Sequence, residues 1–202
     1  MSHYFIEDPN LKNDFHDIEF TINNRSFTFV SNSGVFSKDE LDFGSRLMIE
    51  QVIKLGLVGS VLDVGCGIGV IGLVLAEFFK DSTFTLIDVN NRALEVATKN
   101  KDRLKLANVT IKYSDIFSHV NETFDWIITN PPIRAGKQVV YQIFEQSYDH
   151  LNDNGNLMVV IRKEQGAPSA LKKLESIFQK CSIVERKKGY YIIKCQKIKQ
   201  NA

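Results

Sequence analysis

Two short strings carry side chains and backbone that can do chemistry at close spacing. Asp63-Val64-Gly65-Cys66-Gly67-Ile68-Gly69 follows one apolar run, and Asn130-Pro131-Pro132-Ile133 follows another. In the first, Gly65, Gly67 and Gly69 permit a tight turn and leave no Cβ between backbone and a bound molecule. Amides left free where a helix then begins favour a negative group. In the second, the Asn130 side-chain oxygen and the Pro131 carbonyl are two acceptors, and proline has no competing N–H. The residue before a proline is held extended, and two prolines stiffen the turn. Two converging acceptors fit the two hydrogens of a planar –NH2 and aim its lone pair at an electrophile, so orientation and electrostatics do the work. No strong base is needed, because the proton can leave after positive charge has developed on nitrogen.

Acids accompany the glycines. Asp88 closes the next apolar run, about 20 residues on, where a carboxylate can grip both hydroxyls of a ribose. Asp63 stands one residue ahead of Val64-Gly65. Asp115 closes a third run after Tyr113-Ser114, where it can accept from the exocyclic amine of an adenine. The spacing is G-x-G-x-G rather than the G-x-G-x-x-G of dinucleotide sites. With Asp63 and Asp88 it suits a ligand that carries an ammonium and a sulfonium, which is S-adenosyl-L-methionine rather than NAD. Joined to the Asn-Pro-Pro clamp, it points to methyl transfer to an amino nitrogen. Each residue also has a plain structural reading: a ligand-free strand–helix turn for the glycines, a helix-start acid for Asp88, a loop or cap acid for Asp115, a proline turn for residues 130–132.

The elements that must hold these strings alternate. Residues 18–22 and 26–30 alternate apolar and polar across Asn23-Asn24, a hairpin signal. Apolar residues at helical spacing predict a helix over 42–55. Strands are expected at 60–64, 83–87, 109–113, 126–129 and 156–161. Helices are expected after the glycines to residue 79, over 91–105, over 138–151 and over 169–179. Residues 182–186 and 190–195 read as an antiparallel pair. Repeated strand–helix alternation predicts an α/β fold with a parallel sheet covered on both faces, and a ligand at the carboxyl ends of the strands. The expected division is a hairpin extension over residues 1–36 and a catalytic domain over 37–202.

The bulk properties agree with one globular domain. The chain has 202 residues, 44% hydrophobic and 24% charged, with net charge +1. No signal peptide or membrane span is expected. Three cysteines, Cys66, Cys181 and Cys195, lack metal-ligand spacing and fit a reducing cytoplasm. His3, His16, His119 and His150 form no metal or nucleophile pattern, and no metal is expected. Charge is uneven: residues 1–50 hold 4 basic and 9 acidic side chains, residues 151–202 hold 11 and 4. Arg162-Lys163, Lys172-Lys173 and Arg186-Lys187-Lys188 can meet phosphates or be solvated surface.

These residues resemble those of the class I S-adenosylmethionine-dependent methyltransferases, and more narrowly the small methyltransferase family that includes the RsmC-like ribosomal RNA guanine methyltransferases. The narrowing rests on Gly34-Val35-Phe36-Ser37, Leu41-Asp42-Phe43-Gly44-Ser45 and the continuation Ile133-Arg134-Ala135-Gly136-Lys137. The resemblance implies a Rossmann-like, mostly parallel seven-stranded sheet. It implies methylation of the exocyclic amine of a guanine in small-subunit ribosomal RNA, with the RNA or the 30S subunit as partner and a monomer favoured. By the same analogy Phe36 and Asp42 close the cofactor pocket, Asn130 borders both halves of the site, and Ile133, Arg134 and Lys137 face substrate. Enzymes with Asn-Pro-Pro often carry an aromatic fourth residue, where this chain has Ile133; Phe36 is then the expected stacking ring. Longer members carry an additional N-terminal domain that this sequence does not show. The open alternatives are an acceptor amine on protein glutamine or nucleic-acid adenine, a non-catalytic RNA-binding module, and a nicotinamide oxidoreductase.

Overall fold

The structure is a computed structural model that describes residues 15–32 and 41–199. Two strands, β1 (Phe15–Ile22) and β2 (Arg25–Asn32), form the expected hairpin. Asn23 and Asn24 both adopt positive φ, as a two-residue turn between twisted strands requires. Helix α1 (Phe43–Leu55) follows, then β3 (Ser60–Val64), α2 (Val70–Phe78), β4 (Thr83–Asp88), α3 (Asn91–Leu104), β5 (Val109–Tyr113) and β6 (Phe124–Thr129). The chain continues through α4 (Lys137–Asp149), β7 (Leu151–Arg162), α5 (Ala167–Glu175), β8 (Lys180–Lys187) and β9 (Tyr190–Gln196).

The main sheet has seven strands in the order β5-β4-β3-β6-β7-β9-β8. Strands β3 to β7 pair in parallel and β9 pairs antiparallel with β7 and β8. This is the fold class expected from the strand–helix alternation. Side chains alternate across the sheet: Val61, Ile128, Met158, Val160 and Ile192 join the core shared with α1, α2, α3 and the hairpin. Their neighbours Leu62, Ile127, Leu157, Val159 and Ile193 join the core under α4 and α5. The hairpin is therefore part of the main core, through Ile18, Phe20, Ile22, Phe27 and Phe29.

Several boundaries differ from the sequence reading. Strand β7 begins at Leu151 rather than 156, because Leu151 pairs with Phe124 across an irregular step and Asn152 donates to Asp125 at 2.8 Å. The polar run Asn152-Asp153-Asn154 hid this extension. Strand β6 correspondingly starts at Phe124. Helix α5 starts two residues early, with Pro168 in its first turn, where a missing N–H is harmless. It ends at Glu175, where the Ser176 hydroxyl donates to the Lys173 carbonyl at 2.7 Å. Cys181 and Cys195 face each other across β8 and β9 and are joined by a disulfide; Cys66 is free and buried. This corrects the reading of the three cysteines as thiols of a reducing compartment: two of them, 14 residues apart in sequence, are set opposite each other by strand register, which an odd count did not disclose. Among the described residues no helix is long and apolar enough to cross a membrane.

Candidate active site

Strand register brings the two strings together. Val64 pairs with Ile87 on one side and Thr129 on the other, and Asp88 pairs with Tyr113. Gly65, Asp88, Asp115 and Asn130 therefore leave the same edge of the sheet, on both sides of the point where chain order reverses between β3 and β6. That edge is where open parallel sheets bind ligands.

The glycine turn is fixed from below and open above. Gly65 and Cys66 amides donate to the Ile87 carbonyl at 2.9 and 3.0 Å, anchoring the turn to β4. Gly65 and Gly67 adopt φ of 71° and 55°. A Cβ on Gly67 would meet nothing within 4 Å, and one on Gly65 would meet only Pro132 Cδ at 4.0 Å. The turn is thus an open cradle whose rim touches the Asn-Pro-Pro segment. Gly69 is the left-handed N-cap of α2. Beneath it, Gly72 passes so close that a Cβ would lie 2.7 Å from Leu86.

Asp88 braces this cradle. Its Oδ2 accepts from the Gly67 amide at 2.8 Å and its Oδ1 from the Asn90 amide at 2.9 Å. Each oxygen keeps a further lone pair for an incoming hydroxyl. Burial holds the Asp88 carboxyl above the usual range, against the lowering effect of the backbone amides of Asn90, Gly67 and Val89. Asp63 is only 2% exposed, and its Oδ2 accepts from the Gly72 amide at 2.9 Å. Burial pushes its pKa up to about 7, the Gly72 bond lowers it, and the nearby Asp88 charge raises it. Burial also pushes the Cys66 thiol far up, which removes it as a nucleophile. Asp115 is exposed in the loop after β5, and its amide donates to the Ser118 hydroxyl at 3.1 Å.

The clamp is set by a contact that sequence reading missed. Asn130 Nδ2 donates to Ser45 Oγ at 3.1 Å, which leaves Oδ1 for an incoming donor. Ser45 is held in turn by the Asp42 cap, whose carboxylate accepts from the Ser45 amide at 2.9 Å. Asp42 thus shapes the site from the start of α1. The Thr129 hydroxyl donates to the Val64 carbonyl at 2.9 Å and locks the ends of β3 and β6 together. Pro131 is buried and Pro132 half-buried. Ile133 is half-buried against the core under α4, at the head of the short helical turn Ile133–Ala135. Arg134 and Lys137 are exposed on that turn and at the first residue of α4. Phe36 lies outside the described residues.

Asn100 is the other residue missed. It is 1% exposed on α3, and its Nδ2 donates to the carbonyls of Val30 at 3.0 Å and Ile68 at 3.1 Å, while its Oδ1 accepts from the Val30 amide. It ties the hairpin to the glycine turn. An asparagine in a helix interior, where it is a poor former, was the available signal. Among the described residues no cluster of His, Cys, Asp and Glu could hold a metal ion.

Comparison with known proteins sharpens the picture. The chain is 52% identical over 198 residues to the uncharacterized protein YbxB of Bacillus subtilis (strain 168), covering 97% of this chain and 98% of that one. It is 36% identical over 151 residues to ribosomal RNA small subunit methyltransferase C of Haemophilus ducreyi, covering 72% of this chain but 46% of that protein. The chain thus spans about half the length of these methyltransferase C relatives. Among solved structures, T. Thermophilus 16S rRNA methyltransferase (RsmC) in complex with AdoMet and guanosine superposes with a TM-score of 0.83 at 23% identity, covering 95% of this chain and 53% of that one. That likeness shows the fold. A family model described as methyltransferase small domain matches residues 26–194, from β2 almost to the end of β9. By that match, the chain belongs to the methyltransferase small domain family.

Proposed function

We propose that this chain transfers a methyl group from S-adenosyl-L-methionine to the exocyclic amine of a guanine in small-subunit ribosomal RNA. The observation that carries the reading is the Asn130 amide, whose nitrogen is held by Ser45 so that its oxygen is left for an incoming donor at the head of the Pro131-Pro132 turn. The family match and the methyltransferase C relatives support it. When bound, the cofactor supplies an electrophilic methyl on a sulfonium. The open cradle over Gly65 and Gly67 fits its methionine portion, whose carboxylate is favoured near the start of α2. Asp88 accepts from the ribose hydroxyls, Asp115 from the adenine amine, and Asp63 adds negative charge under the turn. Asn130 Oδ1 and the Pro131 carbonyl accept the two amine hydrogens and hold the nitrogen lone pair toward the methyl. Ile133 covers one face of the acceptor ring. Arg134 and Lys137 hold neighbouring phosphates. A ribosomal substrate places the enzyme in the cytoplasm, where it acts as a monomer on RNA or on the 30S subunit.

A second acceptor, a glutamine side chain or an adenine amine, is favoured by one observation: Ile133 offers aliphatic contact rather than an aromatic face. Mass mapping of ribosomal RNA from cells lacking the protein separates the two. One missing N2-methylguanine is expected. Fully methylated RNA together with loss of a methylated glutamine or adenine would overturn the guanine assignment.

A further inference from the structure

The hairpin of β8 and β9 rises from the same sheet edge as the clamp. Strands β6 and β7 are parallel, with Thr129 opposite Val159. Arg162 stands three residues farther along β7, about 10 Å past that level at ordinary strand rise. It pairs with Tyr190, the first residue of β9, and the Lys163 amide donates to the Gly189 carbonyl at 2.7 Å. The turn Lys188-Gly189 therefore projects beyond the sheet on the clamp side. Side-chain contacts make the link direct. A Cβ on Gly44 would sit 2.9 Å from the Tyr190 ring, and Lys188 Nζ lies 4.8 Å over the Phe43 ring. Phe43 and Gly44 immediately precede Ser45, which holds Asn130.

The charge on this projection is mainly positive. Lys163, Arg186, Lys187 and Lys188 are all exposed, and among the described residues none is in an ion pair. Arg186 is propped 4.8 Å over Tyr191. Two carboxylates lie close by. Glu164 pairs with Arg162 at 3.3 Å, and Glu185 is occupied by the Arg186 amide and the Gln51 side chain. The first is an exposed pair of small worth, so Arg162 remains available to a stronger anion.

We propose that this hairpin tip is an RNA-docking surface: Lys163, Arg186, Lys187 and Lys188 grip phosphates of the strand that flanks the target base, and the tip positions that base at Asn130. The proposal rests on the methyltransferase reading for its target base, while the docking itself is measurable without transfer. Exposed cations spaced along a β-turn beside a catalytic edge suit a phosphodiester chain, which presents one charge per nucleotide.

The test uses the whole chain and a fluorescein-labelled fragment of small-subunit ribosomal RNA. Anisotropy is read across ~50 to ~200 mM salt for the wild type and for Arg186→Gln/Lys187→Gln/Lys188→Gln. Losing three phosphate contacts should lower the slope of log K against log salt by about 2–3 and weaken binding roughly 10- to 100-fold at ~0.1 M salt. Affinity for S-adenosylhomocysteine, read by calorimetry, should stay within about twofold, since these side chains lie outside the cradle. As a readout needing no variant, acetylation of wild-type Lys163, Lys187 and Lys188 should be suppressed by the RNA while that of Lys54 and Lys80 is not. Equal slopes, equal acetylation, or binding of anionic vesicles with none of RNA would each overturn the proposal. RNA binding lost in the variant without methylation by the wild type would leave the docking surface standing and remove the transfer reading.

Discussion

The Asn130 side chain has two ends: Ser45 engages the nitrogen, and the oxygen is left for the amine proposed as acceptor. Asn130→Ala should therefore lower kcat by about 10²-fold, the usual loss for a removed oriented dipole, with S-adenosylhomocysteine affinity nearly unchanged. Ser45→Ala removes only the orienting bond and should lower kcat roughly 3- to 10-fold. The double variant should be no slower than Asn130→Ala; additive losses in steady-state kinetics would show that Ser45 does not act through Asn130. A second prediction concerns Asp63. Burial pushes its folded pKa up to about 7, well above the ordinary carboxyl range. The folded state thus holds this proton more tightly than the unfolded chain does. Stability is fully supported below about pH 4 and falls as pH rises to about 7, and the displacement amounts to at most roughly 4 kcal/mol. Asp88, also raised, adds a slope of the same sign. Asp63→Asn keeps an acceptor for Gly72 without the charge. Urea unfolding at pH 5 and pH 8 should show a shallower decline than in the wild type, and an unchanged decline would refute the burial argument.

Between elements, Asn100 joins three pieces: α3 that carries it, β2 through Val30, and the glycine turn through Ile68. Asn100→Ala strands these backbone groups in a dry interior. A loss of about 2–4 kcal/mol is expected by denaturant unfolding, with faster amide exchange at Val30. Loss below about 0.5 kcal/mol would mean that water replaces the side chain there. Most elements were legible because their signals are local. Apolar runs ending in glycine or acid mark β3, β4 and β5, and Asn-Asn marks the hairpin turn. The bonds from Asn100 and Ser45 were not legible, since their partners lie 70 and 85 positions away. The same holds for the start of β7, where pairing with β6 overrides a polar sequence, and for the pairing of Cys181 with Cys195. The shared edge of Gly65, Asp88, Asp115 and Asn130 was legible for a different reason: the sequence places each of them at or just past the end of an apolar run, and parallel order sends all of these ends to one side.

Over the whole molecule, the proposed cofactor site has no single owner. The loops after β3, β4, β5 and β6 each contribute to it, and the sheet beneath them divides two cores that involve every helix. A ligand there binds only when both cores are assembled, so its binding free energy adds to the stability of the entire fold rather than to one loop. S-adenosylhomocysteine at 100 times its Kd should contribute about 2.7 kcal/mol, which for a chain of this size raises Tm by about 5–10 °C. The melt should remain one cooperative transition by both circular dichroism and tryptophan fluorescence, since Trp126 sits on β6 beside β3. NAD at the same concentration should leave Tm where it was, because the Gly67 amide is taken by Asp88 and the G-x-G-x-G turn lacks the free amides that a longer glycine loop offers a pyrophosphate. An equal rise with NAD, or a rise confined to one of two resolved transitions, would mean that the four loops do not form one binding site.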